Sequence, residues 1–300
     1  MKDQKVIGVV FAALGAVAFS TKAIFIKLAY QVEEIDSLSL LTIRMLFSLP
    51  FYLIVLIALW RMSKLSISFG DIGKISLLAI IGYYGASYLD FSGLKYLSAS
   101  LERLVLFVYP TFVVAINYFL YKKPITSRQL VAIILTYLGL FIVFSDHLGE
   151  SGEEQWLVGV ALIVSSAIAY SIYLIGSEQL LKRVGVFTFT SIAMIVSAIG
   201  VLLHYVIIHD KMDLLNYSEE TYYYGAAIAF FATVIPSFLI SKAISLIGSS
   251  KVAVVSSLGP VSTVVGAWLF LDESVSLTLL FGGCLVIGGV LYLTRRKAGA

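Results

Sequence analysis

Six ionisable residues lie within helix-length apolar runs in the first half of the chain: Lys22, Lys27, Arg44, Asp90, Glu102 and Arg103. Each would cost roughly 2.5–3.5 kcal/mol at the centre of a helix inserted into a bilayer. Charges kept under that penalty need a partner, a wet cavity or an interface. Four are cations and two are carboxylates, an excess that favours a ligand bearing a carboxylate or another anionic group. Glu102 and Arg103 are sequence neighbours, so they point about 100° apart on a helix and pair poorly with each other. One is expected to turn to Asp90 and the other to Lys22 or Arg44. For Lys27, a long stem reaching the membrane surface is the preferred account. Arg44 can instead pair with Glu33, Glu34 or Asp36, just outside the run. Lys22 lies too deep for that escape and is expected to face a wet cavity.

Catalytic alternatives find little support. His147, His204 and His209 form no metalloprotease pattern, Gly248-Ser249 is not a nucleophile elbow, and no glycine-rich phosphate loop is present. Cys284 is a lone cysteine, so neither a disulfide framework nor a thiolate metal cluster is expected. No enzyme activity, cofactor, metal or nucleic-acid partner is expected.

The elements that must position these charges follow from composition. Sixty per cent of the residues are hydrophobic, 13% are charged and the mean hydropathy is +0.97, outside the range of a soluble domain. Continuous apolar runs argue for membrane-spanning helices, because barrel strands would alternate over about ten residues. Ten spans are expected, at roughly 6–30, 38–60, 72–93, 97–120, 128–146, 156–180, 186–208, 221–243, 248–271 and 276–294. The first is read as retained, since its apolar run exceeds the ~7–15 residues of a signal peptide. A lipid bilayer is therefore the principal partner.

Basic residues orient the spans. With the N-terminus inside, Lys2, Lys5, Arg61, Lys64, Lys74, Lys122, Lys123, Arg128, Lys182, Arg183, Arg295, Arg296 and Lys297 all fall on the cytoplasmic side, and Lys242 and Lys251 flank another inside loop. Only Lys95 and Lys211 fall outside, beside acidic clusters at Glu33-Glu34-Ile35-Asp36 and Glu150-Ser151-Gly152-Glu153-Glu154. This bias predicts a multi-pass protein of the cytoplasmic (inner) membrane with both termini inside.

The chain also repeats itself. Leu97–Leu120 matches Ile247–Phe270 at an offset of 150, aligning Ser100 with Ser250, Val105 with Val255, Pro110 with Pro260 and Val114 with Val264. A second match pairs Ala16-Val17-Ala18-Phe19-Ser20 with Ala167-Ile168-Ala169-Tyr170-Ser171. Five spans per copy force the second copy to enter upside down. The expected fold is thus all-α, ten transmembrane helices as two inverted five-helix repeats, residues 1–146 and 156–297, joined by an external linker over 147–155. The charges are not repeated, since Val252-Ala253 stands where Glu102-Arg103 would be.

Depth, at about 1.5 Å per residue, places Lys22 about 24 Å into the first span and all six charges in the outer half of the membrane. Ser20 and Tyr170 sit in the repeated motif. Tyr84 and Tyr88 share one stripe with Phe91, while Tyr83 shares the adjacent stripe with Ser87 and Asp90. These tyrosines either pack the bundle or line a cavity that accepts a partly apolar body. Pro110 and Pro260 each remove a backbone donor, giving a helix break that serves either gating or simple packing.

Gly248-Ser249-Ser250, Leu258-Gly259-Pro260, Leu271-Asp272-Glu273-Ser274 and the pairs Gly282-Gly283 and Gly288-Gly289 resemble the EamA-type permeases of the drug/metabolite transporter superfamily. The first repeat departs from that pattern, with Lys122-Lys123-Pro124 replacing the acidic loop residue. The resemblance implies a central pathway lined by spans 1, 3, 4, 6, 8 and 9, with spans 5 and 10 as scaffold or homodimer contacts. It also implies export or exchange of small metabolites such as amino acids.

These readings converge on a secondary transporter that moves a small polar or anionic metabolite by alternating access. Lys22, Arg103 and Arg44 would attract the anionic group, the tyrosines would contact its body, and Asp90 or Glu102 would balance charge or carry a proton as coupling ion. A non-transporting membrane sensor or assembly factor is the alternative.

Overall fold

A computed structural model describes residues 2–63, 67–122, 124–145, 153–209, 213–256 and 258–294. Among the described residues the elements group into ten helices, and no strand occurs. They are α1 (Lys2–Val32), α2 (Ser37–Arg61), α3 (Phe69–Gly93), α4 (Ala99–Leu106 continuing as Tyr109–Tyr121) and α5 (Ser127–Ser145). The second set is α6 (Glu153–Val184), α7 (Val186–Ile208), α8 (Glu219–Ile247), α9 (Ser249–Val255 and Leu258–Phe270) and α10 (Leu277–Thr294). The expected linker over 147–155 is helical from Glu153 onward, and its earlier part lies outside the described residues. So do Lys64, Lys123, His147, Lys211, Arg295, Arg296 and Lys297.

Eight of these helices are long and apolar enough to cross a membrane, and α5 and α10 are shorter apolar companions. Large apolar side chains point outward, with Phe69 94%, Ile207 81% and Ile54 63% exposed. In water such a surface would aggregate; against lipid tails it is the matching one. The loops are short, and side chains start the helices. Asp36 accepts from the amides of Leu38 and Ser39, while Ser68, Ser98 and Ser218 cap α3, α4 and α8. Their hydroxyl or carboxylate oxygens satisfy amide donors that have no partner inside the helix.

The packing repeats with the two halves exchanged. Helix α1 packs on α8 and α9, and α6 packs on α3 and α4; α2 pairs with α7. Two hydrogen bonds express this exchange. Ser20 Oγ donates to the carbonyl of Gly259 at 2.9 Å, and Ser171 Oγ donates to that of Tyr109, also at 2.9 Å. Each acceptor immediately precedes a proline, Pro260 or Pro110, and each bond joins one repeat to the other.

Helices α5 and α10 pack against each other. A Cβ at Gly139 would lie 2.4 Å from the Gly282 carbonyl oxygen, and one at Gly289 would lie 2.7 Å from that of Ala132. Only glycine lets the two backbones come this close, which is how small residues hold helices together where lipid removes the hydrophobic drive.

The helix interruptions were only partly expected. In α4 the break falls at Phe107–Val108, so Pro110 opens the second segment rather than sitting in the gap. In α3 and α8 the ladder widens into π turns at Ile80–Gly85 and Phe230–Val234, equivalent places in the two repeats. Such turns rotate the residues beyond them and occur frequently at functional sites.

Candidate functional site

A cavity of about 780 Å³, its open mouth included, lies between the two repeats. Helix α1 contributes Ala16, Phe19 and Lys22; α3 contributes Gly82, Tyr83, Ala86, Ser87 and Asp90. From α4 come Arg103, Leu106, Phe107 and Tyr109, and from α6 Ser166 and Tyr170. Ile240 of α8 and Ser256, Gly259 and Pro260 of α9 face them. The lining helices are the six expected from the resemblance, joined by α2 through Arg44.

The π turn in α3 explains how Tyr83 reaches this space. At Gly82 an added Cβ would fall 2.2 Å from that of Tyr173, so the turn lies directly on α6 and only glycine fits. Tyr83 then meets Tyr173 edge-on with ring centroids 4.8 Å apart, and Tyr170 meets Tyr109 at 5.3 Å. The result is an aromatic wall built from both repeats. Tyr84 and Tyr88 take the other side of α3 and do not line the cavity. They stand against His204 of α7, with Tyr84 Oη 2.8 Å from His204 Nδ1.

The charges are brought together by α1, α2, α3 and α4. Lys22 Nζ lies 2.6 Å from Asp90 Oδ2, and both side chains are buried. Asp90 and Glu102 lie within hydrogen-bonding reach of each other. Glu102 is fully buried behind the cavity lining. One terminal nitrogen of Arg103 donates to the Phe19 carbonyl at 3.0 Å, and its Nε lies 3.7 Å from Glu102 Oε2, an ion pair too long for a hydrogen bond. Neighbours 102 and 103, expected to pair poorly, do form an ion pair, though one longer than a hydrogen bond, and Arg103 takes its short contact from a carbonyl.

Arg44 departs furthest from expectation. It pairs with none of Glu33, Glu34 or Asp36. Its Nε donates to Thr233 Oγ1 at 2.8 Å, in the π turn of α8, and its guanidinium carbon lies 5.4 Å from the centre of the Phe91 ring. One terminal nitrogen, Nη1, is buried with no hydrogen-bond partner. The outer carboxylates are engaged elsewhere. Asp36 caps α2 and lies 3.4 Å from His209 Nε2, while Glu33 accepts from Thr221 and Ser218 at the start of α8. Those hydroxyl bonds, Thr221 first, hold the Glu33 carboxyl below the ordinary glutamate range.

Lys27 lies within electrostatic reach of Glu273 rather than in the cavity. Glu273, from the acidic pair after α9, accepts from the amides of Ala99 at 2.7 Å and Ser100 at 3.1 Å and so caps α4. The twin position in the first repeat carries lysine, yet the twin cap exists. Glu178 of α6 accepts from the Ser249 amide at 3.1 Å and caps α9. A carboxylate at a helix N-terminus is favourable from either source.

Ser20 and Pro110 support the cavity from behind, since neither lines it. Residues that the sequence did not single out include Phe19, Tyr109, Ser166 and Ser256. Tyr109, beside Pro110, and Phe19, within the repeated motif, had a positional signal; Ser166 and Ser256 had none. Among the described residues, no group of three or more His, Cys, Asp or Glu is placed to hold a metal.

Apolar helices in two interlocked sets, meeting at a cavity lined by aromatic and charged side chains, mark a multi-pass membrane protein. A family model, the EamA-like transporter family, matches residues 6–145 and again 157–295. The chain belongs to that family. It is 30% identical over 291 residues to a Bacillus subtilis protein named "Uncharacterized transporter YcbK", covering 95% of this chain and 91% of the relative. A Clostridium kluyveri protein named "Uncharacterized transporter" is 23% identical, covering 97% and 94%. A solved structure titled "Crystal structure of protein" superposes with a TM-score of 0.71 at 14% identity, covering 96% of this chain and 98% of that one, a likeness of fold alone.

Proposed function

We propose that this transporter is a secondary carrier of a small anionic metabolite of amino-acid size, working by alternating access across the cytoplasmic membrane in export or exchange. One observation carries the reading: Arg44 is 1% exposed, ends in an unpartnered nitrogen and borders the cavity. A buried guanidinium without a carboxylate is expensive to hold, and an arriving anion supplies the missing partner. Residues 1–146 and 156–297 form the two halves that would rock about the cavity. The excess of basic residues in one set of loops supports an orientation with both termini in the cytoplasm.

The test is binding followed by counterflow. Purified protein is screened by thermal shift against L-glutamate, succinate and acetate, and the stabilising anion is then loaded into liposomes carrying the protein. Accelerated uptake of labelled anion by trans-loaded vesicles is the expected result. Binding without any counterflow would mean a receptor, and the carrier reading would fall.

A further inference from the structure

Two carboxyl groups in this protein share a place where neither meets an ordinary donor. Asp90 is 1% exposed and Glu102 fully buried. Apart from the Lys22 ammonium beside Asp90, none of their four oxygens accepts a hydrogen bond from an amide or hydroxyl group. They lie within hydrogen-bonding reach of each other. Two carboxylates have only acceptors, so a hydrogen bond between them requires one proton. Asp90 holds the Lys22 ion pair and is the ionised member; Glu102, with Arg103 Nε 3.7 Å away, is the acid that donates.

The geometry points to a proton-binding site formed by Asp90 and Glu102, whose single exchangeable proton crosses the membrane together with the anionic substrate. This rests on the anion reading above. The groups facing the pair are Lys22 from α1 and Arg103 from α4, with Tyr30 of α1 and Arg44 of α2 within electrostatic reach of Asp90. Glu273 sits at the N-terminus of α4 with Lys27 opposite, and α6 and α9 present Tyr170, Ser166 and Ser256 to the cavity.

The sign of coupling follows from charge. Lys22, Arg44 and Arg103 against Asp90 alone leave two net positive charges beside the anion site; losing the Glu102 proton leaves one. Protonation therefore favours the anion, and by reciprocity the anion favours protonation. Uptake adds one O–H bond at Glu102 and breaks none in the substrate. Proton and anion bind together, the signature of symport rather than antiport.

Infrared difference spectra of the purified protein in liposomes, recorded through a pH titration, test the pair without any substrate. A carboxylic-acid carbonyl band that shifts in D₂O and persists at pH 7, where exposed carboxyls are ionised, is expected in the wild type and should be lost in Glu102→Gln. Asp90→Asn provides a second variant, expected to shift the titration midpoint. Absence of that band from the wild type at pH 7 overturns the proposal, and needs no variant to fold. At the titration midpoint, adding L-glutamate, succinate or acetate to weakly buffered protein should then draw protons from solution in the wild type and not in Glu102→Gln. Proton release, or anion binding with no proton change, overturns the symport. A protein that shows the band yet binds none of these anions refutes the anion reading while the proton site stands.

Discussion

Arg44→Gln separates a guanidinium held for a ligand from one held for the fold. Arg44 makes one charged hydrogen bond, to Thr233 at 2.8 Å, and one ring contact, to Phe91 at 5.4 Å. Losing them costs about 1.5–3 kcal/mol and about 2 kcal/mol. Against this, removing an unpaired buried ion relieves a desolvation penalty of several kcal/mol. The two nearly cancel, so ligand-free stability is expected to change between zero and about +2 kcal/mol, and at about 2–4 °C per kcal/mol the melting temperature holds or rises. The same change removes the anion's charged partner, worth about 2–5 kcal/mol, which is roughly 30-fold to 4,000-fold in affinity. The assay is thermal unfolding in detergent, with and without the stabilising anion. A melting temperature that falls by ten degrees or more while the anion response survives would refute the reasoning, because Arg44 would then be a clamp between α2 and α8.

Two further outcomes follow from the geometry. Gly139→Ala should destabilise by about 1–3 kcal/mol, since its Cβ would fall 2.4 Å from the Gly282 carbonyl, whereas Gly288→Ala, with open space around its Cβ, should be neutral in the same melts. The Glu33 contact between the end of α1 and the start of α8 should loosen on acidification. Its carboxyl is held below the ordinary range, so the contribution is present above the unfolded value and is lost as pH falls through the folded one. Thr221→Val should flatten that dependence in pH-resolved hydrogen exchange at the start of α8.

Much of the architecture was readable along the chain because the bilayer leaves few options. A helix must satisfy its own backbone in lipid, so long apolar runs translate directly into spans, and an odd number per repeat dictates inversion. The repeated Ala16–Ser20 and Ala167–Ser171 motifs revealed the duplication, and the structure adds that they meet the repeated prolines, Ser20 at Gly259 and Ser171 at Tyr109. Side-chain partners were a different matter. Sequence distance suggested the nearby carboxylates for Arg44, yet its partner is Thr233, 189 residues away. Likewise, Tyr83 and Tyr84 are neighbours, but the π turn sends one to the cavity and the other to His204.

The sequence by itself determined that this is a ten-span duplicated membrane protein carrying its buried charge in one copy only, since hydropathy and repetition are properties of the chain. Only the tertiary structure decided which charges neutralise one another and which remain open. Pairing depends on the crossing of helices far apart in sequence, and the π turns in α3 and α8 rotate those helices by amounts that no local pattern records. Lys22 is thus matched to Asp90, Glu102 is set against Asp90, and Arg44 is left with a nitrogen to offer.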